Sequence, residues 1–198
     1  TFLLDNGVDM HSYQPSAEDI MKISSCDIFV YAGGESDAWA SDALKNASNK
    51  DMQVINLLDV LGEHAKEEET VEGMQGADDH DHDHEHGSGE PSEEEPEYDE
   101  HVWLSLKNAQ LFVSAIADSL SQADTAHADA YTANAVAYNK QLAQLDAAYQ
   151  SAVDAAPIKT VLFADRFPFR YLVDDYGLSY YAAFSGCSAD TQASFDTI

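Results

Sequence analysis

Between Ala128 and Val153, the residues Tyr131, Ala135, Tyr138, Leu142, Leu145, Tyr149 and Ala152 recur at steps of three and four. They describe one stripe on a single helix that must end before Pro157. At ~1.5 Å per residue it runs some 35 to 40 Å, longer than most helices inside a small α/β domain, and it can bridge two lobes. On its N-terminal side, Ser16 is placed to cap a short helix over Ala17 to Ile23, and Asp27 to Ala32 reads as a buried strand closed by Gly33-Gly34. A helical stretch from about Asp37 to Ala47 and a second strand over Gln53 to Leu58 follow. Ala109, Val113, Ile116 and Leu120 mark a helix over Leu106 to Ser121. Beyond Pro157 the alternation resumes, with a strand at Lys159 to Ala164, a helix from Phe167 to Asp175 stopped by Gly177, and a strand at Ser179 to Phe184. The expected fold class is α/β, two lobes with mainly parallel sheets joined by one long helix. The first lobe takes residues 1–126, the connecting helix 127–155 and the start of a second lobe 156–198. Both ends, Thr1 and Phe195 to Ile198, read as cuts through a longer protein.

The segment from Glu63 to Glu100 breaks this order. It is rich in Asp, Glu, Gly, Pro and Ser and has no apolar periodicity on which a core can be built, so it reads as a mobile loop or long insertion. It also carries much of the formal net charge of -28. That charge disfavours nucleic acid and anionic membrane surfaces as partners, because phosphates need Lys and Arg clusters, and it favours cations. No apolar run approaches the ~18 residues of a membrane span. Cys26 and Cys187 are the only cysteines, match no compact zinc motif, and leave open whether they pair.

Three places carry metal chemistry. In Asp78 to His86, the imidazoles of His80, His82, His84 and His86 alternate with carboxylates. Imidazole suits zinc, copper and nickel, and interleaved carboxylates raise the local cation concentration, which reads as weak, flexible metal capture; the other reading is a solvated acidic linker. His101 stands where the acidic segment meets the next helix, with Asp99 or Glu100 able to orient its second ring nitrogen. By residue type alone it is equally a surface His beside a buried Trp103. His11 lies in a loop before a helix, either a ligand or a solvated loop residue.

The loop containing Asp9, His11, Tyr13, Pro15, Ser16 and Asp19, the strand and turn of Ile28 to Asp37, the acidic His-rich insertion, and the run His101 to Ala109 occur in one order along the chain. In this the chain resembles the solute-binding proteins of zinc-uptake ABC transporters. The resemblance implies two α/β lobes joined by a rather rigid helix, with Zn2+ held in the cleft between them. It makes His11 and His101 the two ligands of the first lobe. It also implies a third ligand, usually His, at the end of the first strand of the second lobe, and often an acidic one later. Here that strand ends Phe163-Ala164-Asp165-Arg166 without His, so Asp165 is the nearby side chain able to bind zinc. Capping the next helix or pairing with Arg170 is the alternative role for Asp165.

The implied function is extracytoplasmic capture of Zn2+, as a cell-surface lipoprotein or in the periplasm, and delivery by a monomer to an ABC permease. The alternatives are a metal-buffering or adhesin-like surface protein and a manganese-binding transport protein. An enzyme is not expected: no HExxH helix, nucleophile elbow or phosphate-cradling glycine loop assigns a base or nucleophile.

Overall fold

The computed structural model describes residues 1–4, 10–71, 74 and 97–186. Ser16 and Asp19 close a reciprocal capping box that starts α1, Ala17–Ser25. β1, Ile28–Tyr31, pairs in parallel with β2, Gln53–Asn56, across the intervening α2, Ala38–Lys45. The apolar residues of this layer close a small core of Ile23, Phe29, Ala40 and Ala43. Asn56 then caps α3, Leu57–Leu61, its side chain accepting from the backbone N–H groups of Leu58 and Asp59. The second strand is therefore shorter than the apolar pattern through Leu58 implies.

α4, Leu106–Ala123, opens at Ser105, whose hydroxyl accepts from the Asn108 N–H. A tight turn leads into α5, Ala128–Ala155, a helix of 28 residues that runs about 42 Å. It lies along α4 and reaches the second lobe at Tyr176, whose hydroxyl donates to Asp146 at 2.9 Å and whose ring stacks on Tyr149. Its expected stripe is only partly buried. Leu142 is inside, whereas Tyr138, Leu145 and Tyr149 are exposed; among the described residues α4 is the element that packs most extensively along α5.

In the second lobe β3, Thr160–Phe167, pairs in parallel with β4, Ser179–Ser185, across α6, Arg170–Tyr176. The strand extends three residues beyond the expected end. An irregularity between Phe163 and Arg166 lets it continue, and Phe167 pairs with Ser185 and stacks on Tyr180 at 3.9 Å instead of starting a helix. α6 ends at Gly177, whose φ of 62° supplies the left-handed turn.

The feet of the segment expected to be a mobile loop or long insertion over 63–100 join the fold. Glu67 and Tyr98 form an antiparallel bridge, flanked by the Asp99 N–H donating to the Lys66 carbonyl and the Glu68 N–H to that of Glu97. Asp99 and Glu100 are buried. Val71 and Met74 pack into the second-lobe core with Phe167, Val173 and Ala182. His80, His82, His84, His86 and Cys187 lie outside the described residues, so loop metal capture and the pairing of Cys26 do too.

Candidate metal centre

The carboxyl ends of β3 and β4 open onto a cleft of about 700 Å³, the usual place for a crevice in an open α/β fold. One wall carries Met10, His11, His101 and Trp103; the other carries Ala164 to Arg166 and Phe184. Gly186 belongs to the second wall, and a side chain there would press on the His101 ring at about 3.0 Å.

His11 sits in a short 3-10 turn, Met10–Ser12, just ahead of the Pro15-Ser16 cap. Its Nδ1 shares a hydrogen bond of 2.9 Å with Ser36 Oγ and lies 3.6 Å from Glu100 Oε2. Ser36 belongs to the turn after β1. There Asp37 accepts the Ala32 and Gly33 N–H groups at 3.0 and 3.1 Å, and Glu100 Oε1 accepts the Ser36 N–H at 2.7 Å. Burial pushes the Glu100 carboxyl up, but the nearby His11 imidazole and the hydrogen bond from Ser36 outweigh it and hold the group below its ordinary range. Asp37 is displaced upward: burial raises it, Gly33 and Ala32 lower it, and nearby Glu100 raises it further. Gly34, at φ 83°, leaves the space that Glu100 fills; a Cβ there would overlap the carboxylate.

His101 is buried and Trp103 is 37% exposed, the reverse of a surface His beside a buried Trp. Asp99 Oδ1 accepts from the His101 backbone N–H at 2.8 Å and stands 3.0 Å from its Nδ1. A carboxylate only accepts, so His101 Nδ1 carries the proton and, in the neutral ring, Nε2 carries the lone pair. The two carboxylates flanking His101 in sequence thus divide: Asp99 serves His101, and Glu100 turns to the His11 side.

The outcome is a convergence of His11 Nε2 and His101 Nε2 at 3.2 Å, across 90 residues of sequence. His101 Nε2 turns a lone pair toward His11; His11 Nε2 donates a proton to it when the Ser36 hydroxyl donates to Nδ1, and presents a second lone pair, open to a cation, when Nδ1 donates to Ser36. At a Zn–N bond of ~2.0–2.1 Å, nitrogens 3.2 Å apart subtend about 100° at the metal, near the tetrahedral angle.

Asp165 lines the opposite wall, exposed, with its Oδ1 accepting from the Arg166 N–H at 2.8 Å. Phe169 rather than Asp165 stands at the N-cap of α6, and Arg170 pairs with Glu69 and Asp174. Among the described residues, no group of three or more His, Cys, Asp or Glu is gathered as a metal shell. Sequence reasoning missed Ser36, Gly186 and Tyr171. Nothing in their local sequence marks them, because each reaches the site through the tertiary fold.

Tyr171, on α6, is buried with Leu61, Val102 and Phe112 of the first lobe. Its hydroxyl donates to the Asp99 carbonyl at 3.0 Å and accepts from the Lys66 N–H at 3.0 Å. Burial pushes this phenol up to about 12, so it stays a neutral donor across the physiological range.

Residues 1–198 match the family model described as ZnuA, zinc-uptake complex component A, periplasmic. The chain is 32% identical over 193 residues to the zinc-binding lipoprotein AdcA of Streptococcus pneumoniae, covering 97% of this chain and 35% of that protein. It is 31% identical over 184 residues to the zinc-binding protein AdcA of Streptococcus pyogenes, covering 90% of this chain and 34% of that one. The structure of Zn(II)-bound AdcA from Streptococcus pneumoniae superposes with a TM-score of 0.69 at 30% identity, over 98% of this chain and 36% of that chain. The chain thus spans about a third of the length of these relatives. With its two small parallel sheets and long helix, matched over its whole length by the family model, the chain belongs to the ZnuA family of zinc-uptake components, a transport family rather than an enzyme family.

Proposed function

We propose that this chain captures Zn2+ outside the cytoplasm and, as a monomer, presents it to the permease of an ABC transporter, turning nothing over. The observation that carries the reading is the 3.2 Å approach of His11 Nε2 and His101 Nε2, each imidazole braced on its other nitrogen. In this reading residues 1–126 form one lobe, 127–155 the connecting helix and 156–198 the beginning of the other. His11 and His101 supply two nitrogen donors. Asp165, a water or a donor outside the described residues completes a four-coordinate shell.

Zinc is favoured over manganese because imidazole donors suit zinc, whereas manganese sites prefer oxygen-rich shells. A buffering or adhesive role alone leaves the braced imidazole pair without a purpose. Competition titration of the full chain against a chelator of known affinity tests the reading. His11→Ala and His101→Ala are each expected to weaken the tight Zn2+ site at least a hundredfold, and Asp165→Ala to weaken it less. Unchanged Zn2+ affinity in both His variants, or tighter binding of Mn2+ than of Zn2+ at neutral pH, would overturn it.

A further inference from the structure

The strap formed by the feet of the acidic segment belongs to the first lobe in sequence but is fastened to the second. Lys66 Nζ pairs with Asp174 at 2.7 Å, Glu69 pairs with Arg170 at 3.3 Å and accepts from the Tyr180 hydroxyl at 3.1 Å, and Val71 and Met74 lie in the second-lobe core. The surface ion pairs among these contribute little by themselves. Tyr171 is different. It is 3% exposed, and its single hydroxyl joins the two feet at the point where they also bond to each other, Lys66 on one side and Asp99 on the other. Asp99 is the residue whose carboxylate holds His101 Nδ1.

We infer that Tyr171 is a positioning residue for the metal site: from the second lobe it fixes the Asp99 backbone, and through Asp99 it fixes the His101 imidazole, so that parting the lobes and loosening the zinc ligand are one event. This rests on the zinc-capture reading above. The chain of contacts is short and continuous, from the α6 ring through the Asp99 carbonyl and carboxylate to His101 Nδ1. The cleft's second wall also comes close to the same imidazole at Gly186, where an added Cβ would stand about 3.0 Å from the ring. Zinc release then requires no separate signal to the ligand; movement of α6 away from the first lobe frees Asp99 and relaxes His101.

The test is Tyr171→Phe in the full chain, with Zn2+ alone as the probe. The phenylalanine ring keeps the packing against Leu61, Val102 and Phe112, so the fold is retained, and the unfolding temperature of the metal-free protein checks this. The dissociation rate of Zn2+ is expected to rise about three- to tenfold, as for loss of a buried hydrogen bond, with the association rate unchanged. Because lost packing would not alter the coordination geometry, the visible spectrum of the Co2+-loaded variant is expected to shift from that of the parent.

A double-mutant cycle with Asp99→Asn locates the effect: coupling means that Tyr171→Phe adds little once Asp99 is changed, while strict additivity overturns the inference. His101→Ala is the reference arm. If it loses tight Zn2+ binding while Tyr171→Phe keeps the parental dissociation rate and Co2+ spectrum, the inference falls and the zinc site stands. If His101→Ala keeps tight binding, the zinc site falls and the inference with it.

Discussion

Replacing Asp99 separates two contributions that one carboxylate oxygen makes at once. Oδ1 accepts from the His101 backbone N–H at 2.8 Å and braces Nδ1 of the same residue at 3.0 Å, in a site where Asp99 is 4% exposed. In Asp99→Ala the buried N–H loses its acceptor, at a cost of ~1–3 kcal/mol. For a chain of this size that lowers the unfolding temperature of the metal-free protein by roughly 3 to 10 °C. The imidazole also loses the group that fixes its tautomer and orientation, which weakens zinc affinity ~10- to 100-fold. That range is ~1.4–2.7 kcal/mol. Asp99→Asn restores an oxygen for the N–H and so recovers most of the unfolding temperature, but an uncharged amide polarises the ring less and affinity stays low. Thermal unfolding without metal and competition titration with Zn2+ read the two effects separately. Parental Zn2+ affinity in both variants would refute the bracing of His101 by Asp99.

Removing residues 75–96 is expected to leave the tight zinc site within about tenfold, or ~1.4 kcal/mol, and to abolish the weaker sites; those weaker sites should fade in the parent as pH falls through ~6.5, where ordinary imidazoles take up a proton. A deletion beginning at Glu63 would instead remove Lys66 and Glu69, which fasten the strap to Asp174 and Arg170, so titration of the longer deletion should show a larger loss. Gly34→Ala combines a left-handed backbone position with overlap of the buried Glu100 carboxylate, and is expected to cost ~1–3 kcal/mol in stability and to weaken Zn2+ binding through Ser36 and His11. Gly62→Ala has an open surround, but φ 51° and ψ -122° lie outside the left-handed helical region, so it should cost ~1–3 kcal/mol of backbone strain while leaving Zn2+ affinity unchanged in the same titration.

How far the sequence could be read depended on whether a signal was local. The 28-residue α5 was visible because its period is internal to it, and the Ser16 cap because its partner lies three residues away. What α5 buries was not visible, since that depends on neighbours: with α4 on one side, Leu142 is enclosed while Tyr138 and Leu145 face out. The end of β3 was misplaced because an irregularity at Phe163 to Arg166 disrupts the alternation that marks a strand. The His11 and His101 pair was legible only through resemblance to a family, as no spacing rule joins residues 90 apart. That Asp99 or Glu100 can orient the second His101 nitrogen was legible from their adjacency, and Asp99 is the one that does so; that Glu100 turns to Ser36 instead was not, because it depends on the tertiary fold.

The tripeptide Asp99-Glu100-His101 joins the end of the acidic segment to both imidazoles of the candidate site. One oxygen of Asp99 holds His101, one oxygen of Glu100 holds the Ser36 N–H, and Ser36 holds His11. Both imidazoles therefore take their orientation from one short stretch of backbone. That stretch is fixed on one side by the Glu67 and Tyr98 bridge and on the other by Tyr171. Negative charge in the acidic segment attracts cations to the chain. In the proposed zinc-capture reading, selection among cations rests on two nitrogen donors at 3.2 Å, a separation suited to a small tetrahedral ion, each held on its other nitrogen by Ser36 or Asp99.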